Sequence, residues 1–169
     1  MSRKTKERPL TKTESYFTGN HWELPTDIGL VDEAMEQFKK KLIDAGWEED
    51  ADWLAVSFSE ALINAIVHGN LEIKEKPETE TWRDVAIRIQ RERPTAKKVF
   101  VGFNIIPERI SVTVRDEGNG FNVQEVADPT NEEGLFKLSG RGFLSMRINF
   151  DSVTHNEKGN EVTMIKIKN

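Results

Sequence analysis

The sequence predicts an α+β fold, a two-layer α/β sandwich in which helices cover one face of a mixed, mostly antiparallel sheet. Three observations predict it. Two helical patterns fill residues 25–70, two alternating runs joined by "PE" give a hairpin signal over 99–115, and a second hairpin signal occupies 152–168. Antiparallel strand pairs with helices packed on one face form such a sandwich.

The first helix is predicted over residues 25–47. Pro25 precedes it, Thr26 or Asp27 can cap its N-terminus, and Gly46 lies past its end. Apolar residues recur at steps of three and four, which gives the helix one buried face. These residues are Ile28, Val31, Met35, Phe38 and Leu42.

The second helix is predicted over residues 49–70, with Asp50 or Asp52 as its cap and Gly69 as its stop. It is apolar on almost every side, so we expect it to be mostly buried. The apolar positions that nearly encircle it are Leu54, Val56, Phe58, Leu62, Ile63, Ile66 and Val67.

The remaining elements are shorter. In chain order they are a strand within 14–24, a helix near 81–91, strands at 99–106 and 109–115, a loop at 117–140, a helix at 141–150 and strands at 152–157 and 161–168. Residues 71–98 are charged, with a proline near each end, and are predicted to be an insertion between core elements. We expect a single domain over 1–169, with a flexible tail at 1–13.

The composition is typical of a folded domain in a reducing compartment. Hydrophobic residues make up 37% and charged residues 31% of the 169 positions, and cysteine is absent. The sequence has no run of about 18 apolar residues that would span a membrane, and its polar start does not resemble a secretory signal. We therefore expect a cytoplasmic protein. The net charge is −5 and the basic cluster lies in the tail, so neither nucleic acid nor a membrane is an expected direct partner.

The second helix carries one polar stripe on its otherwise apolar surface. Ser57, Glu60, Asn64 and His68 follow one another at steps of three, four and four, which places them on one side. A buried glutamate needs a partner, so the stripe could face a polar pocket. The alternative is structural, because Glu60 and Asn64 could satisfy each other and the nearby backbone.

The stretch "DEGNGF", residues 116–121, follows a strand pattern and places Asp116 ahead of two glycines. Glycine adopts backbone angles that other residues avoid and lets a ligand approach the chain closely, which would suit Gly118 and Gly120 in a binding loop. An ordinary turn after a strand has the same composition. The stretch alone does not decide between the two.

A third motif, "SGRGF" at 139–143, stands immediately before a predicted helix. A helix N-terminus exposes free backbone N–H groups and the positive end of the helix dipole, which favours phosphate. A glycine-rich helix start without a ligand is the alternative. The sequence contains no G-x-x-x-x-G-K-[ST] pattern, so this motif is not a P-loop.

Taken in order, the three motifs resemble the ATP-binding boxes of the GHKL superfamily, which includes gyrase, histidine kinases and mismatch-repair ATPases. "SEALINAIVHGN" is similar to its N box, "DEGNGF" to its first glycine box and "SGRGFLSMRINFDSV" to its second. Within the superfamily, "NAIVHGN", the compact "SGRGF" and the following "DSV" are most similar to the bacterial anti-sigma-factor serine kinases. The resemblance covers residues 20–168 and implies the Bergerat-type sandwich, with ATP held between sheet and helices.

The resemblance implies a role for each of five residues in the N box and the first glycine box. Asp116 would accept a hydrogen bond from the adenine amino group, and Gly118 and Gly120 would let the chain pass close to the base. Asn64 would be the protein ligand of Mg²⁺, whose remaining ligands would be phosphate oxygens and water. Glu60 would act as general base on the attacking hydroxyl.

The second glycine box is implied to hold the phosphates. Gly140, Arg141 and Gly142 would wrap them, with residues 122–139 as a lid. Further nucleotide contacts are implied for Phe121, Ser139 and Phe143.

Two positions qualify this assignment. His68 would either touch phosphate or end its helix, and we favour the second role. Leu138 stands where many of the sigma-regulating kinases carry a basic residue, with Lys137 one step earlier. The contacts of the lid with phosphate and with partners are therefore open.

The implied function is transfer of the ATP γ-phosphate to a serine or threonine of an anti-sigma-factor antagonist. The same domain would bind a sigma factor or a similar regulator and form a homodimer. The alternative is an ATP-gated, partner-switching binding module with little or no kinase activity, because the fold supports several functions. A detached histidine-kinase catalytic domain lacks a suitable phosphoacceptor histidine here, and a globular domain without a ligand remains the simplest alternative.

Overall fold

The computed structural model describes residues 9–123 and 143–169. Its helices are α1 (Lys12–Ser15), α2 (Val31–Asp44), α3 (Ala51–Asn64), α4 (Trp82–Glu92) and α5 (Phe143–Asn149). Its strands are β1 (His21–Pro25), β2 (Lys98–Ile106), β3 (Arg109–Arg115), β4 (Ser152–His155) and β5 (Glu161–Ile167). A 3-10 turn at Ile28–Leu30 leads into α2, and a π-helical turn at Ala65–Asn70 continues α3.

The five strands form one sheet in the order β1-β2-β3-β5-β4. The predicted α+β sandwich is confirmed, although the sheet built by the described residues is antiparallel throughout rather than mixed. The register of β3 with β5 places Arg115 opposite Glu161, so Asp116 leaves the sheet beside Asn160. This register fixes where the first glycine box begins.

Alternation along the strands separates the two faces of the sheet. On β2 and β3, every second side chain over 99–103 and 110–114 is buried, while those between are partly exposed. The buried side chains pack with those of α2 and α3 in one core, so the helices cover a single face of the sheet. The sheet residues of this core include Val99, Val101, Phe103, Ile110, Val112, Val114 and Met164.

The second predicted helix differs from expectation at its end. Its α-helical part ends at Asn64, and the chain then forms the π-helical turn through Asn70, so Gly69 does not stop it. The helix is mostly buried as predicted, although Val56 is 43% exposed. A π-helical turn changes the angular spacing of side chains and occurs frequently at functional sites.

Near the N-terminus, the strand predicted within 14–24 is present as β1 with Pro25 added, whereas the first long helix begins at Val31, later than predicted. Helix α1, with a capping box between Thr11 and Glu14, takes up part of the predicted strand region, and β1 begins only at His21. Pro25 belongs to β1, and the side chain of Asp27 accepts a hydrogen bond from Gly29 N–H (2.9 Å) at the start of the 3-10 turn.

The charged segment 71–98 contributes to the core through α4, which begins close to its predicted position behind a Thr81 capping box. Val85 and Ala86 of this helix are buried. Gln90 accepts a hydrogen bond from Ile28 N–H (3.0 Å) and donates one to Asp27 Oδ1 (3.0 Å). The segment is therefore attached to the start of α2.

Part of the predicted tail and most of the predicted loop lie outside the described residues. Within the described ranges, no helix combines the length and the apolar character that a membrane span requires.

Candidate nucleotide-binding site

One open cavity lies between the end of α3, the start of α5 and the strand ends of β3 and β5. Its empty volume, including open solvent at the mouth, is about 690 Å³. Five of the residues predicted to bind the cofactor line it, namely Asn64, Asp116, Gly120, Phe121 and Phe143. The structure therefore brings the N box and the first glycine box to one cavity.

Asp116 is held from three directions. Its backbone N–H donates to Asn160 O (2.9 Å), and the side-chain amide of Asn160 donates to Asp116 O (2.8 Å). Its carboxylate Oδ1 accepts the backbone N–H of Gly118 (2.8 Å), and the residue is only 8% exposed. These contacts fix the carboxylate at the cavity wall.

Burial raises the pKa of Asp116 to about 6. The hydrogen bond from Gly118 and the charges of Lys158, Lys97 and Arg115 oppose this shift. At pH 7 the carboxylate is thus mainly ionised, and in that state it can only accept hydrogen bonds. Such a group suits an amino group on a ligand.

Two glycines allow the π-helical turn and the first glycine box to touch. A Cβ on Gly69 would overlap the carboxylate of Asp116, and a Cβ on Gly118 would overlap the backbone carbonyl of Gly69. Gly69 is therefore needed for close packing rather than as a helix stop. Gly120 has a φ of +75°, and a Cβ there would overlap Lys158 O, so it too serves chain packing.

Asn70 supports the site from outside the cavity lining, and the sequence analysis gave it no role. It is only 4% exposed, and its side-chain oxygen accepts the backbone N–H of Glu117 (2.8 Å). Its amide donates to Thr26 Oγ1 and to Lys98 O, each at 3.0 Å. Asn70 thus fastens the π-helical turn to the first glycine box.

The polar stripe of α3 is divided between two surroundings. Ser57 is fully buried against α5, where its hydroxyl accepts the amide of Asn149 (2.8 Å) and lies 3.2 Å from Ser145 Oγ. Asn64 and His68 instead line the cavity. One end of the stripe therefore packs against α5, and the other end lines the cavity.

Glu60 lies between these two halves, beside the cavity rather than in its lining. Burial raises the pKa of Glu60, and a hydrogen bond with the side chain of Ser145 opposes that shift. Its Oε2 is buried and has no hydrogen-bond partner among residues 9–123 and 143–169. The half-buried carboxylate thus keeps one oxygen available within the described structure.

The helical segment that carries His68 continues to Asn70. Nδ1 of His68 lies 2.8 Å from Ile73 O, and its ring packs edge-on against Trp82 with centroids 4.7 Å apart. These contacts join the cavity wall to the segment that carries α4. His68 lies in the last turn of the helical segment, and its role at the site stays a prediction.

A comparison with models of protein families supplies the deciding observation. The model described as the histidine kinase-like ATPase domain matches residues 24–166, which is most of the chain. The chain belongs to the histidine kinase-like ATPase family. The predicted GHKL membership is thereby confirmed, and the chain is an ATP-binding domain of the GHKL type. A comparison with curated proteins found no match.

The residues of this histidine kinase-like ATPase domain fit the Mg²⁺ that usually accompanies ATP in the family. Asn64 lines the cavity and carries a side-chain oxygen, the type of donor that Mg²⁺ prefers. No group of three or more His, Cys, Asp or Glu that could hold a metal occurs in the part of the chain that the structure describes. If Asn64 is the protein ligand of Mg²⁺, as the family resemblance implies, phosphate oxygens and water would complete the coordination, and the bound ion would neutralise phosphate charge.

Four predicted contacts of the second glycine box lie outside the described residues. They are Ser139, Gly140, Arg141 and Gly142, and most of the predicted lid at 122–139 lies there too. Their roles in this ATPase-family domain stay predictions.

Three rings meet at the part of the cavity nearest to β4. Phe121 and Phe143 lie 5.7 Å apart, and His155 packs edge-on against both. His155 is a cavity residue that the sequence analysis did not single out, because a lone histidine in a short predicted strand carries no motif.

Proposed function

We propose that this domain is an anti-sigma-factor-type serine/threonine kinase that transfers the γ-phosphate of ATP to a hydroxyl of an antagonist protein. It would also bind a sigma factor or a similar regulator and would act as a homodimer. One observation carries the proposal. A half-buried glutamate with one oxygen free of described partners lies beside the cavity, one helical turn from Asn64, and both Asn64 and Asp116 line that cavity.

Asp116 would select adenine. Its ionised carboxylate accepts a hydrogen bond from the adenine amino group, whereas guanine presents an oxygen at the same place and would be repelled. The packing of Gly69 and Gly118 keeps the carboxylate in position before the nucleotide arrives. A fixed acceptor needs little reorganisation on binding, which favours both affinity and selectivity.

Glu60 would remove the proton of the acceptor hydroxyl. As that oxygen forms a bond to the γ-phosphorus, the proton passes to the carboxylate and the bond between the γ-phosphorus and the β,γ-bridging oxygen breaks. ADP leaves with the electron pair of that bond. Burial raises the pKa of Glu60 towards the working pH, which is the direction that favours a general base.

The test uses two variants that should separate binding from transfer. With γ-labelled ATP, Mg²⁺ and candidate antagonist domains, Glu60→Gln should lower the rate of transfer by about 10²–10⁴. Its affinity for ATP should stay close to that of the unaltered protein, because Glu60 lies outside the cavity lining. Asp116→Asn should weaken ATP binding itself. Label that moves to no candidate, together with no effect of Glu60→Gln, would contradict the kinase proposal.

A second candidate function is an ATP-gated binding module. The hydrogen bond of Glu60 with Ser145 on α5 favours it, because a base held there would have to turn before it met a substrate. Pull-downs of a partner should then depend on ATP, survive Glu60→Gln and disappear with Asp116→Asn. Loss of the partner with Glu60→Gln would argue against this alternative.

A further inference from the structure

His155 stands at the end of β4 and points to the same layer as Asp116. It pairs with Val162 of β5, a buried position, so its side chain faces the helices rather than the open face of the sheet. It lines the cavity together with Asn64 and Asp116. A titratable side chain of unassigned role therefore forms part of the nucleotide site.

The Nε2 atom of His155 is buried and has no hydrogen-bond partner within residues 9–123 and 143–169. Its closest aromatic neighbours are Phe121 (5.2 Å between centroids, interplanar angle 78°) and Phe143 (5.1 Å, 74°), which offer no conventional hydrogen bond. A buried polar atom without a partner destabilises a fold, so such an atom in a cavity wall requires an explanation.

The imidazole is neutral at physiological pH, because burial, assisted by the charge of Arg147, lowers the pKa of His155 to about 4. A neutral imidazole has one nitrogen that donates and one that accepts. A hydroxyl group can take either role and is thus a suitable partner whichever tautomer is present. An ionised phosphate, in contrast, would favour a charged histidine.

The position of His155 in the sheet indicates which hydroxyl group of a bound nucleotide could reach its imidazole. Asp116 follows β3 and His155 ends β4, with β5 between these strands, so their backbones lie about two strand spacings, or about 10 Å, apart across the sheet. That separation is comparable with the span of an adenosine from its amino group to its ribose hydroxyls. A nucleotide whose amino group meets Asp116 would bring its ribose towards His155.

We propose that Nε2 of His155 forms a hydrogen bond with a ribose hydroxyl of the bound ATP, in a part of the cavity that Phe121 and Phe143 keep dry. The proposal rests on ATP binding in this cavity but not on phosphotransfer. On binding, the ribose would replace part of the contact that Phe121 and Phe143 make with the ring of His155. His155 would then be a residue that determines specificity for the sugar.

The test combines one variant with three nucleotides. His155→Phe keeps an aromatic ring of similar size and removes the nitrogen, and His21→Phe is the matched control because His21 is exposed and lies outside the cavity. Calorimetry would measure binding of ATP, 2′-deoxy-ATP and 3′-deoxy-ATP in the presence of Mg²⁺. Thermal unfolding without nucleotide would be measured in parallel.

We expect opposite effects on stability and affinity. His155→Phe should raise the unfolding temperature, because it removes an unpaired buried nitrogen, yet it should weaken ATP binding by about threefold to tenfold. The unaltered protein should bind one deoxynucleotide more weakly than ATP by a similar factor, and His155→Phe should lose that preference. His155→Gln, which restores a hydrogen-bonding group, should regain part of it.

Two results would overturn the inference. One is unchanged ATP affinity in His155→Phe, and the other is an equal loss for all three nucleotides, which would indicate a general effect on the cavity. An unaltered protein that bound none of them would overturn ATP binding as well, so the two failures are distinguishable. If His155→Phe did not fold, retention of the full sugar preference by His155→Gln and by His155→Ala would overturn the inference instead.

Discussion

Two carboxylates of the site, Asp116 and Glu60, have opposite surroundings. Asp116 is held by a backbone N–H, by two contacts of its own main chain with Asn160, and by the surface of Gly69. The side chain of Ser145 opposes the raised pKa of Glu60, and Oε2 of Glu60 has no hydrogen-bond partner in the described ranges. Both have a raised pKa because both are partly removed from water.

The difference separates a fixed group from an adjustable one. Backbone contacts and glycine packing cannot change without moving whole elements, so Asp116 is suited to recognition. A single side-chain hydroxyl can rotate, so Glu60 can exchange its partner at low cost and is suited to a reaction or a switch. Four predictions test this contrast, in order of decreasing effect.

Gly69→Ala should have the largest effect, because the new methyl group would overlap the carboxylate of Asp116. We expect ATP affinity to fall by about 100-fold and the free energy of unfolding by about 3 kcal/mol, as in overpacked interiors. Gly102→Ala is the control, since a Cβ there meets only the ring of His21 at an ordinary 3.6 Å. Calorimetry and urea unfolding measure both quantities. Equal behaviour of the two variants would contradict the close packing.

Asn70→Ala should come next, because it leaves the Glu117 N–H and the Lys98 carbonyl without their buried partner. The free energy of unfolding should fall by about 2 kcal/mol, with a loss of ATP affinity as the first glycine box loosens. Asn104→Ala, on an exposed position of β2, should change little. A stable Asn70→Ala variant with full ATP affinity would show that this link does not hold the loop.

Acidification should weaken ATP binding through Asp116. ATP needs the ionised carboxylate, and with a pKa of about 6 only about one tenth of it is ionised at pH 5, so affinity should fall about tenfold relative to pH 7. The stability of the nucleotide-free protein should instead increase on acidification. Its folded state binds the Asp116 proton more tightly than the unfolded chain, so this contribution falls as the pH rises from about 4 to about 6.

The control for the pH prediction is Asp116→Asn, which lacks the titrating group. Because ATP also titrates in this range, the informative quantity is the difference in pH dependence between the two proteins. Identical pH profiles of ATP affinity would exclude Asp116 as the responsible group.

Ser145→Ala should have the smallest effect. Loss of its hydrogen bond should raise the pKa of Glu60 further, and the acidic limb of the phosphotransfer profile should move to higher pH by less than about one unit. ATP affinity should stay unchanged. Ser59→Ala is a suitable control, because the hydroxyl of Ser59 bonds only to the backbone of its own helix at Val56 O (2.6 Å) among the contacts given by the described chain. If the acidic limb moved by the same amount in Ser145→Ala and Ser59→Ala, the contact between Ser145 and Glu60 would not be its cause.

The sequence predicted the larger elements because their signals are local. The steps of three and four in the first two helices and the alternation at 99–115 depend only on neighbouring residues. The family was predicted from the order of three motifs, and the family match over 24–166 confirmed it. The cavity likewise contains both Asn64 and Asp116.

The site contacts that the sequence did not predict depend on residues that are distant along the chain. That Gly69 touches Asp116, or that Asn70 bonds to Glu117, follows only from the π-helical turn and the sheet register. The division of the polar stripe could not be predicted either, because α5, which covers Ser57, lies almost ninety residues further along the chain. His155 joined the site for the same reason, through the pairing of β4 with β5.

The most direct measurement of the central claim is calorimetric titration of the protein, and of Asp116→Asn, with ATP and with GTP in the presence of Mg²⁺. ATP should bind more tightly than GTP, and Asp116→Asn should weaken ATP binding by about tenfold to 100-fold, as expected for a hydrogen bond to a charged group. No measurable heat at millimolar ATP, or an affinity that Asp116→Asn leaves unchanged, would contradict the assignment of this cavity as an adenine-nucleotide site.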